Sequence, residues 1–132
     1  MSWVLDPQLE ADSFRIASLN LCELRLFDHQ DWVWLILIPM REKKVELLDL
    51  EPCDQALLLE EIGQVSRLLK RDFPCDKLNI ALLGNVVTQL HVHVIARRFD
   101  DPCFPKVPFG LPRVSYQPEI RIPMIQKIQS GL

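Results

Sequence analysis

Two of the three histidines in this 132-residue chain, His91 and His93, stand two positions apart, and Gln89 stands two positions before them. On a β-strand, such residues project from one face at steps of about 7 Å, while the residues between them project from the other face. A neutral imidazole is a nucleophile near pH 7, and an acceptor for its second ring N–H fixes its tautomer. The neighbouring imidazole is suited to donate a hydrogen bond to an oxygen on which negative charge grows. The spacing therefore predicts three hydrogen-bonding side chains in a row on one face of a strand, two of them imidazoles with the chemistry of a nucleophile and of a donor.

Two other interpretations of the pair stay open. Histidines at this spacing also occur on plain sheet surfaces, or packed with both ring nitrogens satisfied. His-x-His on a strand is in addition a common metal-ligand geometry, which Gln89 or His29 would extend. No carboxylate lies on the same face of the predicted strand, so a metal site is less favoured than a site in which the histidines act without a metal.

The strand that carries the pair, Thr88 to Arg97, is rich in β-branched residues. Upstream, Leu19 to Phe27 alternates apolar and other residues, and Trp32 to Ile38 is continuously apolar, which predicts two further strands. The short polar connection between them predicts an antiparallel hairpin whose second strand is central in the sheet. Lys77 to Leu83 predicts another strand, which the turn signal Gly84-Asn85 follows.

One long helix separates the hairpin from the last two strands. It is predicted to begin at Pro52 and to end at Phe73-Pro74. Its apolar face is formed by residues at spacings of four, three and four: Leu58, Ile62, Val65 and Leu69. Val45 to Leu50 predicts a single helical turn before it. Six of the ten prolines fall between positions 102 and 123, so we expect an irregular C-terminal arm with a short helix over 121–128.

The composition limits the class of protein. Fifteen Lys and Arg against 18 Asp and Glu give a net charge of −3, which argues against a duplex nucleic-acid binder. The longest apolar run, Trp32 to Ile38, is far shorter than the ~20 residues of a membrane span, and the N-terminus has no signal-like run. The four irregularly spaced cysteines include no CxxC pair. We therefore predict a cytoplasmic protein with reduced thiols and with no nucleic-acid or membrane partner.

The segment Thr88 to Arg97 resembles the motif of the histidine triad (HIT) superfamily, His-φ-His-φ-His-φ-φ, where φ is apolar. Gln89 stands in the first histidine position, His91 in the second and His93 in the third. Three further segments are placed as in that family: Ile38-Pro39-Met40-Arg41, Asp49-Leu50 and Gly84-Asn85. The resemblance covers most of residues 14 to 98, and it is greatest for bacterial members with a Gln-Leu-His-Val-His core.

The resemblance implies nucleotidyl transfer chemistry. In similar proteins the middle histidine attacks the α-phosphorus of a nucleoside phosphate ester, anhydride or phosphoramidate, and water then releases a nucleoside monophosphate. By position that nucleophile is His91, His93 holds a phosphate oxygen, and no metal or other cofactor is required. Gln89 departs from the motif: a carboxamide donates a hydrogen bond but transfers no proton at neutral pH.

The resemblance also implies supporting residues for the nucleotide. Asp28 stands where family members place an acidic or amide side chain near the ribose hydroxyls. Asn85 and Thr88 lie on the segment that enters the motif, where donors cradle phosphate. Each of the three has an ordinary alternative, since Asp28 and Asn85 suit turns and Thr88 suits a strand.

The prediction is therefore an α+β, HIT-like domain over residues 1–132. It has an antiparallel meander sheet of about five strands, one main helix, a core over about 14–98 and a proline-rich arm over about 99–132. The implied function is a nucleotide hydrolase or nucleotidyl transferase that forms a homodimer. Two alternatives remain: a nucleotide-binding module without useful turnover, because of Gln89, and a structural interaction protein that uses the arm as its contact surface.

Overall fold

The computed structural model describes residues 2–132, which form one five-stranded antiparallel sheet with helices packed on it. The strands are β1 (Ser13–Ser18), β2 (Cys22–Phe27), β3 (Val33–Pro39), β4 (Lys77–Ala81) and β5 (Val92–Arg97). The helices are α1 (Pro7–Asp12), a 3-10 turn (Leu47–Asp49), α2 (Pro52–Asp72) and α3 (Pro118–Gly131). The strand order is β1-β2-β3-β5-β4. The α+β class is confirmed, but the order departs from a simple meander because β5 lies between β3 and β4.

The centre of the sheet follows the sequence pattern closely. The predicted hairpin is present, with Leu24 opposite Leu37 and Leu26 opposite Leu35 across β2 and β3. The continuously apolar strand β3 is central, and its two faces enter two separate hydrophobic clusters. A strand that is apolar on both faces is stable only when both faces are covered, which accounts for this position.

Alternation along β5 divides its side chains between these two clusters. Val92, Val94 and Ala96 join the larger cluster, in which Leu58, Val65 and Leu69 of α2 pack. Ile95 joins the smaller cluster around Trp32 and Trp34. His93 is opposite Ile36 of β3 and contacts Trp34, so it lies on the side of the smaller cluster. Within β5 the predicted division between the face of His93 and the aliphatic face is present, but Gln89 and His91 precede the strand.

The beginning of the chain differs from the prediction. The strand expected over Leu19 to Phe27 starts only at Cys22, because Leu19 donates its N–H to the Cys22 carbonyl and forms a tight turn. Before that turn lie α1 and β1, neither of which was predicted. Both are six residues long, which is too short for a clear periodic signal.

The last strand and the arm also differ in detail. The strand expected from Thr88 starts at Val92, and the 82–91 segment is irregular, with the Leu90 N–H bonded to the Lys44 carbonyl. The arm carries a 14-residue helix, longer than the predicted 121–128. Two hydrogen bonds attach the arm to the rest of the domain. The Tyr116 hydroxyl donates to the Trp32 carbonyl, and the Gln129 side chain donates to the Ile16 carbonyl. Within residues 2–132, no helix has the length and apolar character needed to cross a membrane.

Candidate active site

His91 lies directly before β5, and only 7% of its surface is exposed. Its Nδ1 is 2.7 Å from the carbonyl oxygen of Gln89. A carbonyl oxygen only accepts hydrogen bonds, so Nδ1 carries the proton in this contact and Nε2 carries the lone pair. The local backbone therefore selects the tautomer in which the outer nitrogen of His91 is a nucleophile.

His93 has the complementary tautomer. Its Nδ1 accepts a hydrogen bond of 3.0 Å from the indole Nε1 of Trp34. An indole N–H only donates, so the neutral His93 ring holds its proton on Nε2, where it donates to an oxygen. Burial, and secondarily the charge of His91, lower the pKa of His93 to about 3. His93 is thus a neutral donor at pH 7, and its ring centre lies 4.9 Å from that of His91.

Aromatic side chains pack around His93 and orient its ring. The Trp34 ring packs edge-on to His93, with Phe27 against it at a centroid distance of 4.3 Å. Phe109, from the arm, touches both Trp34 and His93, at 5.3 and 5.0 Å between ring centres. Trp34 is a core residue, as predicted, but its role as the partner of His93 was missed. Nothing in the sequence indicates Phe109, because 16 residues and an irregular path separate it from His93.

His91 borders two cavities. The larger, of about 300 Å³, is shared with His93 and is mostly apolar, as ligand sites commonly are. Its other walls include Leu9, Asp12, Phe27, Ile36, Asn85 and Val87. The smaller, of about 240 Å³, is walled by Val45, Glu46, Leu47, Leu82, Leu83 and Leu90. Neither cavity has a lysine or arginine in its wall, so binding of an anion there depends on neutral hydrogen-bond donors.

The structure brings only part of the predicted residue set together. His91, His93 and Asn85 line the larger cavity. Asp28 does not: it is buried, and its carboxylate accepts the backbone N–H of Tyr116, so it anchors the arm. Thr88 and Gln89 line a separate depression together with the N-terminal residues. In place of Asp28, the unpredicted α1 contributes Asp12 to the cavity wall.

Metal-ligand geometry was the other chemistry left open by the sequence. Between positions 2 and 132, no three His, Cys, Asp or Glu side chains cluster closely enough to hold a metal ion. His29 packs edge-on against Trp32 instead, with a centroid distance of 4.8 Å.

The low pKa of His93 predicts a pH-dependent stability. Between pH 6.5 and about 3 the unfolded chain binds a proton at this residue that the folded chain excludes, so stability falls as the pH falls through that window. For one proton the slope approaches about 1.4 kcal/mol per pH unit. Urea unfolding of wild type and His93→Gln at pH 7, 5 and 4 measures it. The variant should show the shallower dependence, and equal slopes would contradict the assignment.

Comparison with known proteins identifies the family to which this fold belongs. The model of the HIT domain family matches residues 8–100. A histidine triad protein from Sinorhizobium meliloti is 40% identical, with a TM-score of 0.96 over 99% of this chain and 98% of that one. One from Bradyrhizobium japonicum is 38% identical, with the same TM-score and coverage. One from Marinobacter aquaeolei is 34% identical, with a TM-score of 0.96 over 98% and 96% of the two chains. No curated protein matches significantly.

The fold is an α+β sheet with a buried histidine pair at the start of β5, the strand that lies between β3 and β4. This fold is that of the histidine triad class of proteins. The chain belongs to the HIT family. Proteins of this family are generally nucleotide-binding hydrolases and transferases, and they share the fold described above.

Proposed function

We propose that the protein hydrolyses or transfers the nucleotidyl group of a nucleoside phosphate ester, anhydride or phosphoramidate. The observation that carries the proposal is the opposite tautomers of the two histidines. Gln89 leaves His91 Nε2 with a lone pair, and Trp34 leaves His93 Nε2 with a proton. A nucleophile and an oxygen donor thus stand side by side at one cavity.

The first step forms the covalent intermediate. The His91 Nε2 lone pair attacks the α-phosphorus, a P–N bond forms, and the bond to the leaving group breaks with its electron pair. The His91 ring then carries a positive charge, because Nδ1 keeps the proton that it donates to the Gln89 carbonyl. The neutral His93 donates to a phosphate oxygen, and such a donor stabilises developing charge most effectively in a water-poor site.

The second step hydrolyses the intermediate and regenerates the free enzyme. Water attacks the phosphorus and loses a proton to the solvent, the P–N bond breaks, and its electron pair returns to His91 Nε2. The cationic ring is a good leaving group, since the neutral imidazole forms directly. The departing group of the first step receives no proton from Gln89, because a carboxamide is not an acid at neutral pH. The protein should therefore be fastest with substrates whose leaving groups depart as stable anions, and an amine leaving group must take its proton from water as the P–N bond of the substrate breaks.

The second candidate is a nucleotide-binding module with little turnover. It is favoured by the side chain of Gln89, which is bonded to the backbone of Asp6 and Val4 and lies outside the lining of both cavities. Under this alternative the cavity still binds a nucleoside monophosphate, but no phosphorus–oxygen or phosphorus–nitrogen bond is broken.

One experiment separates the two functions. Binding of AMP is measured by calorimetry, and release of AMP is followed with adenosine 5′-phosphoramidate and a dinucleoside polyphosphate as substrates. Binding with product supports the enzyme, and binding without product supports the module. Absence of both would contradict the proposed function in either form. A crystal soaked with AMP should place the phosphate against His91 and His93.

We also propose a homodimer, formed through the free edge of the sheet. At one edge, α3 packs against β1. At the other, β4 pairs only with β5, and Ile80 is 47% exposed, near the exposed Leu82 and Leu83. An exposed strand edge with apolar side chains readily pairs with a second copy.

This dimer gives a direct prediction. Sedimentation at micromolar concentration should show twice the 15.4 kDa of one chain, and Ile80→Lys should shift the protein toward the monomer. The matched control is Ile122→Lys on α3, which is equally exposed but lies by the opposite edge. A wild type that sediments as a monomer would contradict the dimer.

The setting that we propose is the cytoplasm, with a nucleotide as the partner and no nucleic acid or membrane. The four cysteines are unpaired in the structure, in keeping with reduced thiols.

A further inference from the structure

The side chain of Gln89 makes two hydrogen bonds to a distant part of the backbone. Its Oε1 accepts the N–H of Asp6 at 2.8 Å, and its Nε2 donates to the carbonyl of Val4 at 2.9 Å. The planar amide therefore pairs with one extended stretch as a neighbouring strand would. The main-chain carbonyl of the same residue holds the proton of His91 Nδ1. Gln89 thus joins the nucleophile to the N-terminal segment.

That segment, residues 2–12, is here called the N-terminal strap. Ser2 at its beginning bonds to the Glu42 carboxylate. Trp3 and Leu5 pack on the cluster that contains Trp34, the partner of His93. Because the strap crosses the molecule in this way, its position is fixed by side-chain contacts at several points rather than by a sheet.

The far end of the strap forms a wall of the larger cavity. Gln8, Leu9 and Asp12 of α1 line it together with the histidine pair. The side chain of Asp6 caps α1 by accepting the Gln8 N–H at 2.8 Å. A displacement of Asp6 would therefore move the start of the helix whose residues form the wall.

We propose that Gln89 is a positioning residue that holds the N-terminal strap over the nucleoside cavity, and that it does not act on the leaving group. The proposal rests on the proposed function, since it assigns the larger cavity to the nucleoside part of the substrate. It explains why a carboxamide suits this position: an amide offers an acceptor and a donor side by side, whereas one imidazole does not present both to neighbouring backbone groups.

The test uses the full chain with Gln89→Ala, Asp6→Pro and the double variant. Asp6 has a φ of −56°, which proline adopts, so Asp6→Pro removes the N–H without a change of φ. The matched control is Asp6→Ala, which loses the same helix cap but keeps the N–H. Two readouts are taken for each protein: amide hydrogen exchange of residues 3–9, and KM and kcat with adenosine 5′-phosphoramidate.

Gln89→Ala should accelerate exchange in the strap and raise KM about tenfold, while kcat and the pH profile change little. Asp6→Pro should also accelerate exchange in the strap and raise KM, and both effects should be larger than those of Asp6→Ala. The double variant should resemble the sum of Gln89→Ala and Asp6→Ala, because Gln89→Ala has already released the N–H contact that Asp6→Pro removes. A merely structural role would lower the amount of folded enzyme and leave KM unchanged.

Four results would overturn the proposal. Unchanged exchange of the strap in Gln89→Ala would show that Gln89 does not hold it. A fall in kcat with unchanged KM would show that Gln89 acts directly on the reacting group. Full additivity of Gln89→Ala and Asp6→Pro would show that the two residues share no contact that matters for KM. A wild type that binds no nucleotide would overturn the proposed function and the role of the strap in it, whereas the exchange rates would still report whether Gln89 holds the strap.

Discussion

Replacement of His91 by alanine should lower kcat by on the order of 10⁴-fold or more, which is the size of loss expected when a covalent nucleophile is removed. The loss should fall on kcat rather than on KM, because the wall of the larger cavity, to which we assign the nucleoside, is built mainly from other residues. The rate of AMP release from adenosine 5′-phosphoramidate at saturating substrate gives kcat for wild type and for the variant.

Two controls separate chemistry from folding in this experiment. AMP binding by calorimetry should stay within about tenfold of wild type in His91→Ala, since most of the apolar wall is unchanged. His91→Asn keeps an amide donor for the Gln89 carbonyl but has no nucleophilic ring nitrogen, so it should be as inactive as the alanine variant. Turnover equal to that of wild type in either variant would remove His91 from the mechanism.

Arg97→Met should destabilise the fold by about 3–5 kcal/mol, the cost of leaving a buried charge without its partner. Arg97 is only 1% exposed, and its guanidinium contacts the Asp101 carboxylate at 2.7 Å, the Asn79 side chain at 2.8 Å and the Lys106 carbonyl at 2.7 Å. It therefore joins β5 to β4 and to the first part of the arm.

The Asp101 carboxylate accepts several hydrogen bonds in addition to those from Arg97. Burial alone would raise the pKa of the Asp101 carboxyl, but hydrogen bonds from Arg97 and from backbone N–H groups hold it below its ordinary range. The backbone donors are those of Arg98, Cys103 and Phe104. In Arg97→Met the Asp101 carboxylate would stay buried and charged without its partner, which lowers the free energy of unfolding.

Urea unfolding at pH 7 measures this loss. The matched control is Arg71→Met, which removes an exposed ion pair with Asp72 of the same 2.7 Å length and should cost less than about 1 kcal/mol. The double variant Arg97→Met with Asp101→Asn should lose less than Arg97→Met alone, because the orphaned charge is gone. Equal effects of Arg97→Met and Arg71→Met would contradict the assigned role of the buried pair.

The parts of the fold that the sequence predicted are those with a long periodic signal. The helix α2 begins at the predicted Pro52 and ends one residue before Phe73, because its apolar spacing and its prolines act together. The alternation around His93 was also informative, since one face had to pack on the helix. The turn at Leu19, by contrast, depends on a hydrogen bond to Cys22, and no local pattern of residue types distinguishes it from a continuing strand.

Contacts between distant segments account for what was not predicted in the candidate site. Trp34 and His93 are 59 residues apart, and their hydrogen bond depends on the antiparallel register of β3 and β5. Gln89 and Val4 are 85 residues apart. Asp28 was predicted to lie near the ribose hydroxyls, and its carboxylate accepts the backbone N–H of Tyr116, which lies in the arm. Such pairs require the tertiary fold, which one sequence does not provide.

The most direct test of the central claim is to trap the covalent intermediate. Wild-type protein is mixed with adenosine 5′-phosphoramidate, quenched in alkali within the first turnover, and analysed by mass spectrometry of the intact chain and of its peptides. The mechanism predicts one adenylyl group on the peptide that contains His91, and none in His91→Asn. An active wild type with no adduct, or an adduct on any other residue, would contradict it.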